Sequence, residues 1–153
     1  MKKPFKIFID GGEGTTGLKI HERFRGRQDL ELLQIEEEKR KDPEQRRRRI
    51  NESDITFLCL PDAAAREAVS MIEEDNDHTK IIDASTAHRI SPDWAYGFPE
   101  LSGEHRERIR TSSRVAVPGC YASGFISCVY PLVQAGVMPR DYPVTCHGIS
   151  GYS

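Results

Sequence analysis

A chain of 153 residues, 37% hydrophobic and 30% charged, is long enough for one domain with a real core and short for a two-domain enzyme. Its formal net charge of −2 supplies no basic field to attract nucleic acid. Apolar runs of only a few residues fall far below a membrane span, so no membrane role is expected.

Met1-Lys2-Lys3-Pro4 lacks the apolar core and cleavage site of a signal peptide, which makes a cytoplasmic protein the expectation. Phe5–Asp10 reads as a buried strand and Gly11–Gly17 as a glycine-rich turn. Gly17, Ile20, His21 and Phe24 then follow the i, i+3, i+4, i+7 spacing of a helix face. Leu30–Ile35 predicts a second strand. Residues 36–49 are a charge run of five acidic and seven basic residues around Pro43, read mostly as a solvated loop. Asp54–Leu60 predicts a third strand. Pro61-Asp62 opens a helix with Asp62 as its N-cap and Ala65, Ala68, Val69 and Ile72 as its apolar stripe. Thr79–Ala84 is a fourth strand, 85–99 a long loop, Ser102–Arg110 a short polar helix and Arg114–Val117 a short strand. Pro118-Gly119-Cys120 turns into a helix with a face of Ala122, Phe125, Val129, Leu132 and Val133, which Pro131 should kink or end early. Tyr142–Ile149 reads as a last strand. The chain then stops in a glycine-containing turn, before or at the start of a further domain.

Strands alternating with helices at this spacing imply parallel βαβ units, and so a doubly wound, mostly parallel, Rossmann-type α/β sheet. Ligands of such sheets bind beyond the carboxyl ends of the strands. The turns that follow strands, 11–17, 60–62, 85–89 and 118–121, should therefore share one edge.

Gly11-Gly12-Glu13-Gly14-Thr15-Thr16-Gly17 satisfies both Gly-x-x-Gly-x-x-Gly and Gly-x-Gly-x-x-Gly. Glycines permit a tight turn and close approach of a pyrophosphate, and the helix beginning near Thr15 aims its free N–H groups at that anion. A purely structural βα turn is the plainer alternative. Past the second strand, where the adenosine ribose is met, stand Glu36, Glu37 and Glu38 and then Lys39, Arg40 and Lys41. Acidic residues there favour NAD and basic ones NADP, so the choice stays open.

Four cysteines, at 59, 120, 128 and 146, hold no Cys-x-x-Cys pair, so free thiols and no metal are expected. Cys59, Cys128 and Cys146 fit buried structural thiols. Cys120 differs: at a glycine turn and a helix start it gains thiolate character, and the first-turn N–H groups can hold an oxyanion. In Asp83-Ala84-Ser85-Thr86-Ala87-His88-Arg89, Arg89 offers a fork for phosphate or carboxylate. His88 reads as a solvated loop residue, and Tyr96–Glu100 as a turn packed near the site.

The runs IDGGEGTTG, FLCLPDAAARE, DASTAHR, YGFPEL and VAVPGCYASG, in this order, resemble the shorter class of N-acetyl-γ-glutamyl-phosphate reductases from Ile9 to Ser153. The resemblance implies that Gly11, Gly14, Thr15, Thr16 and Gly17 hold the phosphates of NADP. It implies that Leu60, Pro61 and Ser85 line the cofactor cleft, that Cys120 is the nucleophile, and that Ser150-Gly151 begins a loop near the nicotinamide. Arg89, Ser150 and Gly151 are the expected substrate contacts, and the expected substrate is a small acyl phosphate. Residues 1–141 would form the NADP-binding domain, and 142–153 would begin a substrate and dimerisation domain whose remainder, with a catalytic histidine, lies past Ser153. The full-length protein is then expected to be a homo-oligomer, and this chain alone inactive. Aspartate-semialdehyde dehydrogenase, a non-catalytic NADP-binding module and a cysteine hydrolase are the alternatives weighed.

Overall fold

The computed structural model describes residues 3–149. Its strands are β1 (Phe5–Asp10), β2 (Leu30–Leu33), β3 (Ile55–Leu58), β4 (Lys80–Asp83), β5 (Ala95–Tyr96) and β6 (Arg114–Ala116). They form one sheet in the order β2-β1-β3-β4-β6-β5, with every neighbouring pair parallel. The helices are α1 (Thr15–Phe24), α2 (Pro43–Glu52), α3 (Asp62–Ser70), α4 (Gly103–Thr111) and α5 (Cys120–Gln134).

Alternation along β3 sorts the two faces of the sheet. Phe57 meets Phe24 of α1 edge-on, with ring centroids 5.6 Å apart. Leu58, on the opposite face, is buried with Phe8, Ile50 of α2, and Ala65 and Ala68 of α3. The sheet is therefore wound on both sides, as expected, and its central strands are apolar on both faces. The chain runs outward from β1 to β2 and returns through α2 to β3 on the other side of β1. That reversal creates a switch point between β1 and β3, where a crevice opens at the carboxyl ends of the strands.

Several expectations need correction. The charge run is not mainly a loop: after a 3₁₀ turn at Glu37–Lys39 it forms α2. Asp42 caps α2 by accepting from the Glu44 N–H at 2.9 Å, and Pro43 occupies its first turn. α2 buries only Arg46 and Ile50, so its inward face lacked the apolar period that marks a helix. The loop 85–99 contains β5, two residues long. Asp62 does not cap α3; Pro61 holds that position with no side-chain bond, and Asp62 is already helical. α5 runs on past Pro131 to Gln134 rather than ending at the proline. Residues 142–149 form no strand: they pair with nothing among the described residues, and Tyr142, Val144 and Ile149 are exposed. Cys128 and Cys146 are exposed rather than buried: no residue of α5 is fully buried, and residues 142–149 are all exposed.

Candidate active site

At the end of β1 the glycine turn is fixed by contacts that exclude side chains. Gly11 has φ +80°, and a Cβ there would lie 2.3 Å from the Cys59 carbonyl oxygen. A Cβ on Gly17 would lie 2.5 Å from the Cα of Gly12, so the first turn of α1 rests directly on the loop. Gly14 precedes α1, with no side chain capping the helix, and Thr15 and Thr16 open it in exposed positions. The free N–H groups of α1 thus face the mouth of the turn.

Beside the turn lies a cleft of about 800 Å³. Gly11, Gly12 and Gly14 form one wall, Leu60 and Pro61 a second, and the tail of β2 from Leu33 to Ile35 a third. A pyrophosphate needs close backbone approach, uncapped N–H groups and space, and this turn offers all three. The residues fit a dinucleotide. Ser85 is not among the residues that line this cleft. It is buried, its N–H and hydroxyl donate to the Asp83 carboxylate at 2.9 and 2.7 Å, and its Oγ accepts from the Ala87 N–H. Its role is to hold the turn after β4.

An ion network backs the glycine turn. Arg46 of α2 donates from Nε to Asp10 Oδ2 at 3.1 Å and reaches Glu67 of α3 at 3.3 Å; its Nη2 lies 3.0 Å from the same Asp10 oxygen without hydrogen-bond geometry. Burial raises the Asp10 carboxyl above its ordinary range, and Arg46 opposes the rise. Sequence reasoning missed Arg46, since four consecutive arginines at 46–49 give no sign of which one turns inward. At the rim Arg40 pairs with Glu13, and Lys39 turns away to Glu36 at 2.8 Å. Cys59, just past β3, has its thiol pushed up to about 11 by burial and by the Asp10 and Asp83 charges.

At the end of β6, Gly119 is the cap position of α5 and Cys120 its exposed first residue. No side chain caps α5, so its first N–H groups are free beside the sulfur. Arg89 donates from Nε to the Val117 carbonyl at 2.9 Å and from Nη2 to the Ala84 carbonyl at 3.3 Å. A Cβ on Gly119 would lie 2.7 Å from Arg89 Nη1, so the guanidinium lies against the cysteine turn. His88 is not solvated: it bonds the fully buried Asp83 carboxylate through Nδ1 at 2.7 Å and stacks on Trp94 with centroids 4.1 Å apart. Its ring anchors the loop that carries Arg89. Asp62, freed from capping, accepts from the N–H and hydroxyl of Thr86, which hold its carboxyl below the usual range. Gly97 donates to the Ala116 carbonyl at 2.8 Å, so the turn after β5 packs on the same edge. The strand-end turns thus lie together as expected. Ser150 and Gly151 lie outside the described residues.

Residues 6–110 match the family model described as semialdehyde dehydrogenase, NAD binding domain. The chain is 56% identical over 147 residues to an N-acetyl-gamma-glutamyl-phosphate reductase of Burkholderia lata, covering 96% of this chain and 46% of that protein. A relative of the same name from Trichormus variabilis is 50% identical over 153 residues, covering 100% of this chain and 47% of its own length. The chain thus spans just under half the length of these curated relatives. Among solved structures, aspartate semialdehyde dehydrogenase from Francisella tularensis superposes with a TM-score of 0.63 at 14% identity, over 86% of this chain and 41% of that one. Aspartate semialdehyde dehydrogenase with NADP from Candida albicans gives 0.58 at 14% identity, over 87% and 48%. These structures share the fold.

Proposed function

The chain belongs to the family of semialdehyde dehydrogenase NAD-binding domains, and on that premise we propose that the protein reduces N-acetyl-γ-glutamyl phosphate to N-acetyl-glutamate semialdehyde with NADPH, through a thioester on Cys120. The observation that carries this reading is the placement of an exposed Cys120, at an uncapped helix start, on the sheet edge that also holds the glycine turn and its cleft. Relatives named for this acyl phosphate at 50–56% identity support the choice of substrate.

In this reading Gly11, Gly14, Thr15, Thr16 and Gly17 receive the cofactor phosphates, and Leu60 and Pro61 border its path. Ser85 contributes by fixing the adjoining turn. The Cys120 sulfur attacks the acyl carbon, the bond from that carbon to the phosphate oxygen breaks, and phosphate leaves. The oxyanion formed at each addition faces the free N–H groups at the start of α5. In this reading Arg89, whose guanidinium lies against Gly119, receives the phosphate group. A reduced nicotinamide bound in the cleft would supply the hydride that takes the thioester to the aldehyde level. Collapse of the resulting alkoxide then expels the Cys120 sulfur and releases the semialdehyde, which returns the thiolate.

Residues 1–141 are proposed as the cofactor domain and 142–153 as the beginning of a substrate domain, where Ser150 and Gly151 would approach the nicotinamide. The whole protein is proposed to be a cytoplasmic homo-oligomer that acts on a small molecule and needs no nucleic acid. The test is NADPH oxidation by the full-length protein with N-acetyl-γ-glutamyl phosphate and with aspartyl phosphate. Turnover of the first alone is expected; turnover of the second alone would identify an aspartate-semialdehyde dehydrogenase activity instead.

A further inference from the structure

Glu13 sits inside the glycine turn, between Gly12 and Gly14, and lines the cleft where a pyrophosphate fits. Its carboxylate has the wrong sign for that neighbour. It is paired with Arg40, which is also held by its own turn: Nε donates to the Glu37 carbonyl at 3.2 Å, and Nη2 lies 3.7 Å from the Glu37 carboxylate. Arg40 stands past β2, where the adenosine ribose of a dinucleotide is met. The pair therefore spans the cleft from its pyrophosphate end to its ribose end. Of the three consecutive cations there, Lys39 does not line the cleft, whereas Arg40 and Lys41 do. Of those two, only Arg40 has a carboxylate partner among the described residues.

We propose that Arg40 distinguishes a 2′-phosphorylated dinucleotide from an unphosphorylated one, and that Glu13 competes with the 2′-phosphate for it. The proposal rests on the dinucleotide reading of the cleft. A guanidinium fork takes phosphate and carboxylate in the same bidentate geometry, so the edge of Arg40 that holds Glu13 is the edge a phosphate needs. A ribose 2′-hydroxyl makes no such demand, so NAD leaves the pair intact and Glu13 neutralised. A 2′-phosphate draws Arg40 away and leaves Glu13 bare beside the pyrophosphate. Glu13 thus reduces affinity for the phosphorylated cofactor alone, and Arg40 supplies the preference for it. Lys41 adds positive charge at the same rim without this coupling.

The test is calorimetric titration of the full-length protein with 2′,5′-ADP and with 5′-AMP, which differ only in the 2′-phosphate. Wild type, Glu13→Gln, Arg40→Gln and the double variant are compared. Wild type is expected to prefer 2′,5′-ADP. Glu13→Gln should tighten 2′,5′-ADP by up to about fivefold, the range of one exposed ion pair, with little effect on 5′-AMP. Arg40→Gln should weaken 2′,5′-ADP by about tenfold or more, the range of a charge-assisted hydrogen bond. In the Arg40→Gln background, Glu13→Gln should no longer favour 2′,5′-ADP over 5′-AMP. Retained 5′-AMP binding shows that each variant is folded. If wild type prefers 2′,5′-ADP but no variant changes the ratio of the two affinities, the roles of Arg40 and Glu13 are overturned and the NADP reading stands. If wild type shows no preference for 2′,5′-ADP, the NADP reading itself is overturned, and this inference with it.

Discussion

Two of the four cysteines stand at strand ends on the same sheet edge, and their surroundings divide them. Cys59 is packed behind the glycine turn with its thiol pushed up to about 11, so it stays protonated and unreactive near neutral pH. Cys120 is exposed at the start of α5 with free N–H groups beside it. Brief, limiting alkylation near neutral pH followed by peptide mass spectrometry should therefore find label chiefly on Cys120. Cys128 and Cys146 are also exposed, so preferential label on either would show that the helix start confers nothing on Cys120. Cys120→Ser should abolish reduction and leave NADPH binding nearly unchanged. Cys59 has a different signature. Its ordinary value is 9.0 and its folded value about 11, so between these the unfolded chain gives up a proton that the fold retains. The stability this thiol contributes is complete below 9.0 and is lost as pH rises toward 11. Urea midpoints of wild type and Cys59→Ala should diverge less at about pH 10 than at about pH 8; a constant difference would contradict the assignment. Cys120 was legible because its residue neighbours mark a turn before a helix. His88 was not, since nothing local announces that Asp83 and Trp94 close over it.

α2 shows where element-scale patterns stop being informative. Its cap, Asp42 before Pro43, is an ordinary helix start, but its inward face holds Arg46 beside a single buried apolar residue, Ile50. The charge is accommodated because β1 ends on Asp10, on the sheet face where α2 packs, 36 positions away in sequence. A long-range pair of charges leaves no period to read. Arg46→Met should leave Asp10 buried without a counter-charge and cost about 3–5 kcal/mol in urea unfolding. Adding Asp10→Asn should recover part of that loss. A single-variant cost under about 1 kcal/mol would show that the pair behaves like an exposed one. Residues 142–149 give the opposite lesson. Tyr142, Val144 and Cys146 alternate as a strand should, yet a strand needs a neighbour and none is present among the described residues.

For the whole molecule, alternating strands and helices were enough to anticipate a parallel, doubly wound sheet and a row of turns along one edge. The sequence did not reveal how those turns are tied to one another: Asp62 to Thr86, Arg89 to Val117 and Ala84, and Arg40 to Glu13. All but the Arg89–Ala84 bond join residues more than twenty positions apart, and together they bring the glycine-turn cleft and Cys120 onto one edge. That juxtaposition is the basis of the proposed reaction, in which the acyl group is carried on the Cys120 sulfur. Its most direct test mixes the full-length protein with N-acetyl-γ-glutamyl phosphate in the absence of reduced cofactor, quenches with acid, and maps the adduct by mass spectrometry. The expected result is phosphate release with N-acetylglutamyl groups on the Cys120 peptide and no other, in an adduct that disappears when NADPH is added before the quench. An enzyme that turns over while Cys120 remains unmodified, or that carries the acyl group on another residue, would contradict the account.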